Sequence, residues 1–179
     1  MAIEDIDAVT EIEVKAILSC LREGVEYQPR VARIMRTISE SLHFVRYHRP
    51  ADGHGHKYKN STQLKRINLF VSREASRLIA STKKEFEGGT RLEHPRPLEH
   101  IYTDLAARRF ALTSETLLEL LGYYPLITVT AEEDRQLKHK GWSSPIDRYA
   151  NANINVGRVK EIVFGVEPTW TPAALPELA

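Results

Sequence analysis

Two acid–histidine pairs stand six residues apart in the segment Glu93-His94-Pro95-Arg96-Pro97-Leu98-Glu99-His100. A carboxylate can hold a divalent cation, and a neutral imidazole can take a proton from water near neutral pH. An acid beside a histidine therefore suits attack on a phosphodiester. Glu93 and His94 are the candidate catalytic pair, with Glu93 also a candidate ligand for a divalent metal such as Mg²⁺. A second set lies in Asp52-Gly53-His54-Gly55-His56-Lys57-Tyr58. In an extended stretch its two imidazoles project to one side, which makes His54 and His56 further candidate metal ligands or proton donors. The plain alternatives are surface acids with ordinary loop histidines for the first set, and an exposed polar loop for the second.

The charge distribution says what such groups would meet. Between Pro29 and Lys84 there are 13 Lys/Arg against three acids, a local net of +10. The 28 residues before that block carry a net of −5 and the residues after it −4, so the overall +1 hides a polarised chain. An array of this kind fits an anionic partner, nucleic acid first, because each phosphate neutralised releases counterions. Arg46, Arg49, Lys57, Lys59, Lys65, Arg66, Arg73 and Arg77 are the candidate contacts. Arg33 and Arg36 share a helical face, and Arg66, Arg73 and Arg77 follow at intervals of seven and four. Two alternatives stand beside this: pairing with the acidic first helix (Glu11, Glu13, Glu23, Glu26), and another anion. Whether the nucleic acid is DNA or RNA, and whether the chain self-associates, stay open.

The run Glu93-His94-x-x-Pro97-Leu98 resembles the Asp-His-x-x-Pro-Leu box of HNH (ββα-metal) nucleases, with Glu in place of the usual Asp. The resemblance spans six residues. It implies that the acid helps hold a divalent metal and that the histidine activates water against phosphate. Neither the later Asn nor the final His of that family follows in Ile101–Leu121. In spacing, Arg49-x4-His54 resembles the arginine–histidine motif of the HEPN ribonucleases, although Pro50, Gly53 and Gly55 break the helix that would carry it. The leading expectation is a nuclease of a restriction, phage-defence or mobile-element kind. The alternative is a non-catalytic nucleic-acid-binding regulator, or an inhibitor docking on an anionic partner.

The elements that must position these groups follow from periodicity. Thr10 and Glu13 read as a capping box for a helix with Val14, Ile17, Leu18 and Leu21 on one face, ended by Gly24. Pro29 suits the first turn of a helix reaching about His48, striped by Val31, Ile34, Ile38, Leu42 and Val45. Ser61 is the expected cap of a third helix carrying Leu64, Ile67, Val71, Leu78 and Ile79, with Ile67–Val71 readable as strand instead. Helices are expected near Glu99–Arg109, from Thr113 or Ser114 to Gly122, and from a Thr130/Glu133 capping box to about His139. Strands are expected near Leu126–Thr130 and Val159–Val166. Gly88-Gly89 reads as the clearest boundary, between a helical basic part (1–87) and an α+β part (90–179) of one domain. Trp142 and Tyr149 around Arg148 could stack on a base, but partly buried anchors are the commoner outcome.

The expected fold is therefore α+β and mostly helical, with a helical N-terminal half and two or three strands in the C-terminal half. Cys20 alone allows no disulfide framework, and it sits in an apolar stretch that suits a structural thiol. No apolar run approaches the ~18–20 residues that span a bilayer. The acidic start lacks signal-peptide order, so the chain reads as cytoplasmic and without a membrane partner.

Overall fold

Helix α1 (Ala8–Arg22) starts where the Asp7 carboxylate accepts the amide N–H of Thr10 at 2.7 Å. Asp7 is thus the N-cap, and Thr10, the expected cap, is buried one turn inside. Among the residues described in this computed structural model (7–48, 60–139 and 144–175), α1 is the first element. It ends as the sequence predicts. Gly24 takes φ +70°, and the N–H groups of Gly24 and Val25 return to the carbonyls of Leu21 and Cys20, a C-terminal closure that favours glycine. Helix α2 (Pro29–His48) opens on its proline, where a missing N–H costs nothing.

The chain divides into two compact units, each drawn from two stretches of sequence. In the first, α1 and α2 pack with α6 (Leu98–Ala107) and α7 (Ser114–Gly122). The stripes meet in one core: Ile17 and Leu21 from α1, Met35, Ile38 and Leu42 from α2, Leu105 from α6, and Leu117 and Leu121 from α7. Burying each such side chain contributes about 1.5–3 kcal/mol. The Ser39 hydroxyl donates to the Leu121 carbonyl at 3.0 Å, and the Tyr102 hydroxyl to the Val25 carbonyl at 2.6 Å, so these two hydroxyls are bonded within the core.

The second unit holds a five-stranded sheet. Its strands are β1 (Phe70–Ser72), β2 (Thr90–Glu93), β3 (Ile127–Thr130), β4 (Val156–Val159) and β5 (Trp170–Pro172), in the order β2-β3-β1-β4-β5. Only the β1–β3 pair is parallel. Around it lie α3 (Ser61–Ile67), α4 (Arg73–Arg77), a 3-10 turn (Leu78–Ala80), α5 (Lys83–Gly89), α8 (Ala131–His139) and α9 (Pro145–Asn151). Val71 is in register with Thr128 and with Gly157, so the strand period of two places Ile127 and Val129 on the opposite face. Each face has its own core. Ile127 and Val129 pack with Leu137, Tyr149 and Ile154, while Val71 and Val159 pack with Ile79 and Phe86.

Buried polar groups pin the parallel pair. Asn68 is fully buried, and its amide donates to the carbonyls of Phe70 and Leu126 and to the Thr128 hydroxyl. Thr130 and Glu133 form the expected capping box of α8. The same Glu133 carboxylate accepts the Ser72 hydroxyl at 2.6 Å, and Ser72 in turn caps α4.

The α+β class agrees with the sequence reading, but the sheet has five strands rather than two or three, and β1 interrupts the expected all-helical first half. The third helix stops at Ile67, is capped by Asn60 rather than Ser61, and gives way to the strand alternative near Ile67–Val71. The expected strand at Val159–Val166 is a correction too. β4 ends at Val159, and the chain turns at Gly165, φ +85°, whose N–H reaches the carbonyls of Ile79 and Ser81. Gly88 and Gly89 close α5 inside the second unit, so they mark no boundary between units. No helix among the described residues is long and apolar enough to cross a membrane.

Candidate functional site

Glu93 is the last residue of β2 and is in register with Ile127, which turns its side chain toward the face that carries Tyr149. Arg148 and Tyr149, neighbours on α9, take both carboxylate oxygens. Arg148 Nη2 donates to Oε1 at 2.8 Å, and the Tyr149 hydroxyl donates to Oε2 at 3.1 Å. The other arm of the guanidinium, Nη1, donates to the backbone carbonyls of His94 and Pro95, each at 3.2 Å. Glu93 is 8% exposed and Arg148 5%, so this is a buried ion pair. Burial pushes the Glu93 carboxyl up, the Arg148 charge and hydrogen bonds oppose that, and nearby Asp134 adds to the rise. Burial, then the adjacent Glu93 charge, holds the Tyr149 phenol well above its ordinary value, so it stays a donor.

This arrangement fastens the end of β2 and fixes the backbone that presents His94, which is itself half-buried. A metal on Glu93 would have to displace Arg148 or Tyr149. Among the described residues, no group of three or more His, Cys, Asp or Glu is placed to hold a metal ion. His54 and His56 lie outside the described residues, as do Arg49, Lys57, Lys59 and Trp142.

The candidate phosphate contacts divide sharply. Lys65 is buried, and its ammonium donates to the carbonyls of Glu87 at 2.7 Å and Thr90 at 3.0 Å, closing the end of α5. Desolvation, with the Arg91 charge, lowers its pKa. Arg66 is paired with the Glu87 carboxylate, and Arg77 forks onto both oxygens of Glu74 at 2.7 and 2.8 Å. Arg46 donates to the carbonyl of Gly122, the last residue of α7, at 2.7 Å. Arg73 is exposed, with its guanidinium 5.8 Å from the centroid of the Trp170 ring.

A different set is open. Arg30, Arg33 and Arg36 are all exposed on the first half of α2, and no carboxylate among the described residues pairs with them. Successive members are three residues apart, hence neighbours on the helix surface. The sequence reading paired Arg33 with Arg36 but passed over Arg30, although it stands at the same spacing in the first turn after Pro29.

No family model, no curated protein and no solved structure matches this chain.

Proposed function

We propose that this protein binds nucleic acid through Arg30, Arg33 and Arg36, as a non-catalytic binder or regulator rather than a hydrolase. The observation that carries this reading is the contrast inside the basic block. Lys65, Arg66, Arg77 and Arg46 are spent on carboxylates or carbonyls, whereas the α2 row is exposed and has no acid partner among the described residues. Exposed guanidiniums at adjacent helical positions serve phosphates well, since their donors are already hydrated and lose little on exchange.

The test is binding of labelled single-stranded and duplex oligonucleotides over a salt series. Replacing all three arginines with Ala should weaken binding and reduce the slope of log K against log salt by about 2 to 3, on the basis of about 0.7–0.9 per phosphate. Lys65→Ala should instead lower the melting temperature, because it leaves buried carbonyls without a donor. Affinity that does not respond to salt, or that survives the triple substitution, would remove the reading.

A second reading, a phosphodiesterase, is supported by one arrangement. β2 and β3 are antiparallel, α8 follows β3 directly, and His94 stands just beyond the end of β2. Two strands and a helix thus lie beside the acid–histidine pair, although α6 and α7 separate β2 from β3 along the chain. In this reading His94 takes the proton from water, Glu93 positions it through Arg148, and no step is routed through a metal. His94→Ala would then cost on the order of 10²–10⁴-fold in cleavage while binding is unchanged. If neither DNA nor RNA is cut with Mg²⁺ present or absent, this reading falls and the binder stands.

A further inference from the structure

Beside the arginine row the first unit holds a cleft of about 480 Å³, lined by Tyr27, Gln28, Pro29, Ala32, Arg33 and Arg36. That volume lies within the range of sites that enclose small organic groups. Its chemistry is uneven in a useful way. One wall is aromatic: the Tyr27 ring leans on Tyr102, with centroids 5.7 Å apart at 48°, and Tyr102 is anchored by its hydrogen bond to Val25, so the Tyr27 ring is held in place. The opposite character comes from two guanidiniums at adjacent helical positions, neither paired with a carboxylate among the described residues. Burial, then the Glu99 charge, raises the Tyr27 hydroxyl above its ordinary value, and the Arg36 charge opposes that. Gln28 adds a carboxamide with both donors and an acceptor, the combination that reads the edge of a base.

A flat ring, a carboxamide and a pair of phosphate-binding cations are the parts a single nucleotide needs. A duplex keeps its bases stacked on one another and cannot offer a face to Tyr27, whereas an unpaired base can. We propose that this cleft is a subsite for one nucleotide of a single strand, with the base against Tyr27 and its phosphate between Arg33 and Arg36. The proposal rests on the nucleic-acid reading above and adds to it a preference for unpaired strands and the residue that supplies it. Arg30 lies outside the cleft lining and serves a neighbouring phosphate.

The test compares three labelled probes of equal length: an oligothymidylate, a duplex, and an oligomer of abasic sites that carries the phosphates without the bases. Tyr27→Ala should weaken oligothymidylate binding about 5- to 150-fold, the range expected for one stacked base. Duplex and abasic binding should stay within about two-fold of the unmodified protein. Tyr27→Phe should bind like the unmodified protein, since the ring is kept. Because Tyr27 also packs on Tyr102, Tyr27→Ala could unfold the helices, so Ala32→Leu is the second variant. It fills the cleft while keeping every charge, and should selectively weaken the oligothymidylate. If Tyr27→Ala does not fold, Ala32→Leu alone decides. Binding of all three probes that ignores both changes, or weakens equally for all three, overturns the subsite but leaves the arginine reading standing. Failure of the unmodified protein to bind any of the three overturns both.

Discussion

Replacing Arg148 with Met removes a charge while keeping much of the side chain's apolar length, and it tests what the Glu93 cluster is for. The substitution strands the Glu93 carboxylate with only the Tyr149 hydroxyl, and it takes the donor from the carbonyls of His94 and Pro95. Breaking a buried ion pair from one side costs about 3–5 kcal/mol, because the remaining charge has no partner and no water. Against a total stability of about 5–15 kcal/mol this is a large share. At roughly 2–4 °C per kcal/mol for a chain of this size, the melting temperature should fall by about 6–20 °C.

The pH dependence of that loss carries more information than its size. Without Arg148, burial and the Asp134 charge raise the Glu93 carboxyl against the Tyr149 hydrogen bond alone. The folded chain then binds a proton that the unfolded chain has given up, so stability falls as pH rises from about 4.5 toward the raised folded value. The deficit should be larger at pH 8 than at pH 5. Adding Glu93→Gln to Arg148→Met removes the stranded charge and should recover a substantial part of it. Melts by circular dichroism at both pH values, with the double variant as the fourth corner of the cycle, make the measurement. A shift under about 2 °C at both pH values, or a double variant less stable than Arg148→Met alone, would refute the argument. A rise in melting temperature with added Mg²⁺ that Glu93→Gln abolishes would instead identify Glu93 as a metal ligand.

Three smaller predictions follow from local geometry. A Cβ on Gly157 would sit 2.3 Å from the Thr171 carbonyl oxygen and 2.4 Å from the Trp170 ring, so Gly157→Ala must push β5 away. It should cost about 1–3 kcal/mol and speed hydrogen exchange at the β4–β5 pairing first. The Glu85 carboxyl is held below its ordinary value by the Thr82 N–H and hydroxyl, so its contribution is present above about pH 4.5 and is lost as pH falls through the lowered folded value. Glu85→Gln should therefore lower the melting temperature at pH 7 and leave it unchanged at strongly acid pH; an equal loss at both would show that the capping charge is not the cause. Asn153 takes φ 55° just after α9, so Asn153→Ala should cost about 1 kcal/mol by denaturant titration and Asn153→Gly almost nothing.

What the sequence revealed and what it hid separate by range. The span of α2 was legible because Pro29, the apolar stripe and the following loop are all local signals. The start of α1 was misplaced by one turn because Thr10 and Glu13 fit the capping-box spacing, while Asp7, which caps the helix, has no acid three residues on. β1 was harder. Its three residues pair with Thr128 in parallel and with Val156–Arg158 antiparallel, partners that no local window contains, while Val71 falls on the helical stripe running from Leu64. The division into units escaped for the same reason: the chain leaves and re-enters each unit. Two of the three crossings fall at Pro95–Arg96 and Tyr123–Tyr124, beside prolines 97 and 125, and none at the conspicuous glycines that end α5.

The candidate site obeyed the same rule. A count of charges finds where lysines and arginines lie along the chain but not which carbonyl or carboxylate each one meets. Lys65 reaches a carbonyl 22 residues away and Arg66 a carboxylate 21 away. Arg148 answers Glu93 across 55 residues. An acid beside a histidine is thus an ambiguous sign in a single sequence. The same Glu93 that resembles a metal ligand also suits a buried arginine, and the choice depends on whether a cation of the chain arrives there first. By contrast, Arg33 and Arg36 needed no distant partner to be read, because three-residue spacing on a helix that begins at a proline already places them side by side. The part of the site that was legible is therefore the part built on one helix. The cleft beside it became visible only once Tyr102, from a helix 75 residues downstream of Tyr27, had fixed the position of the ring.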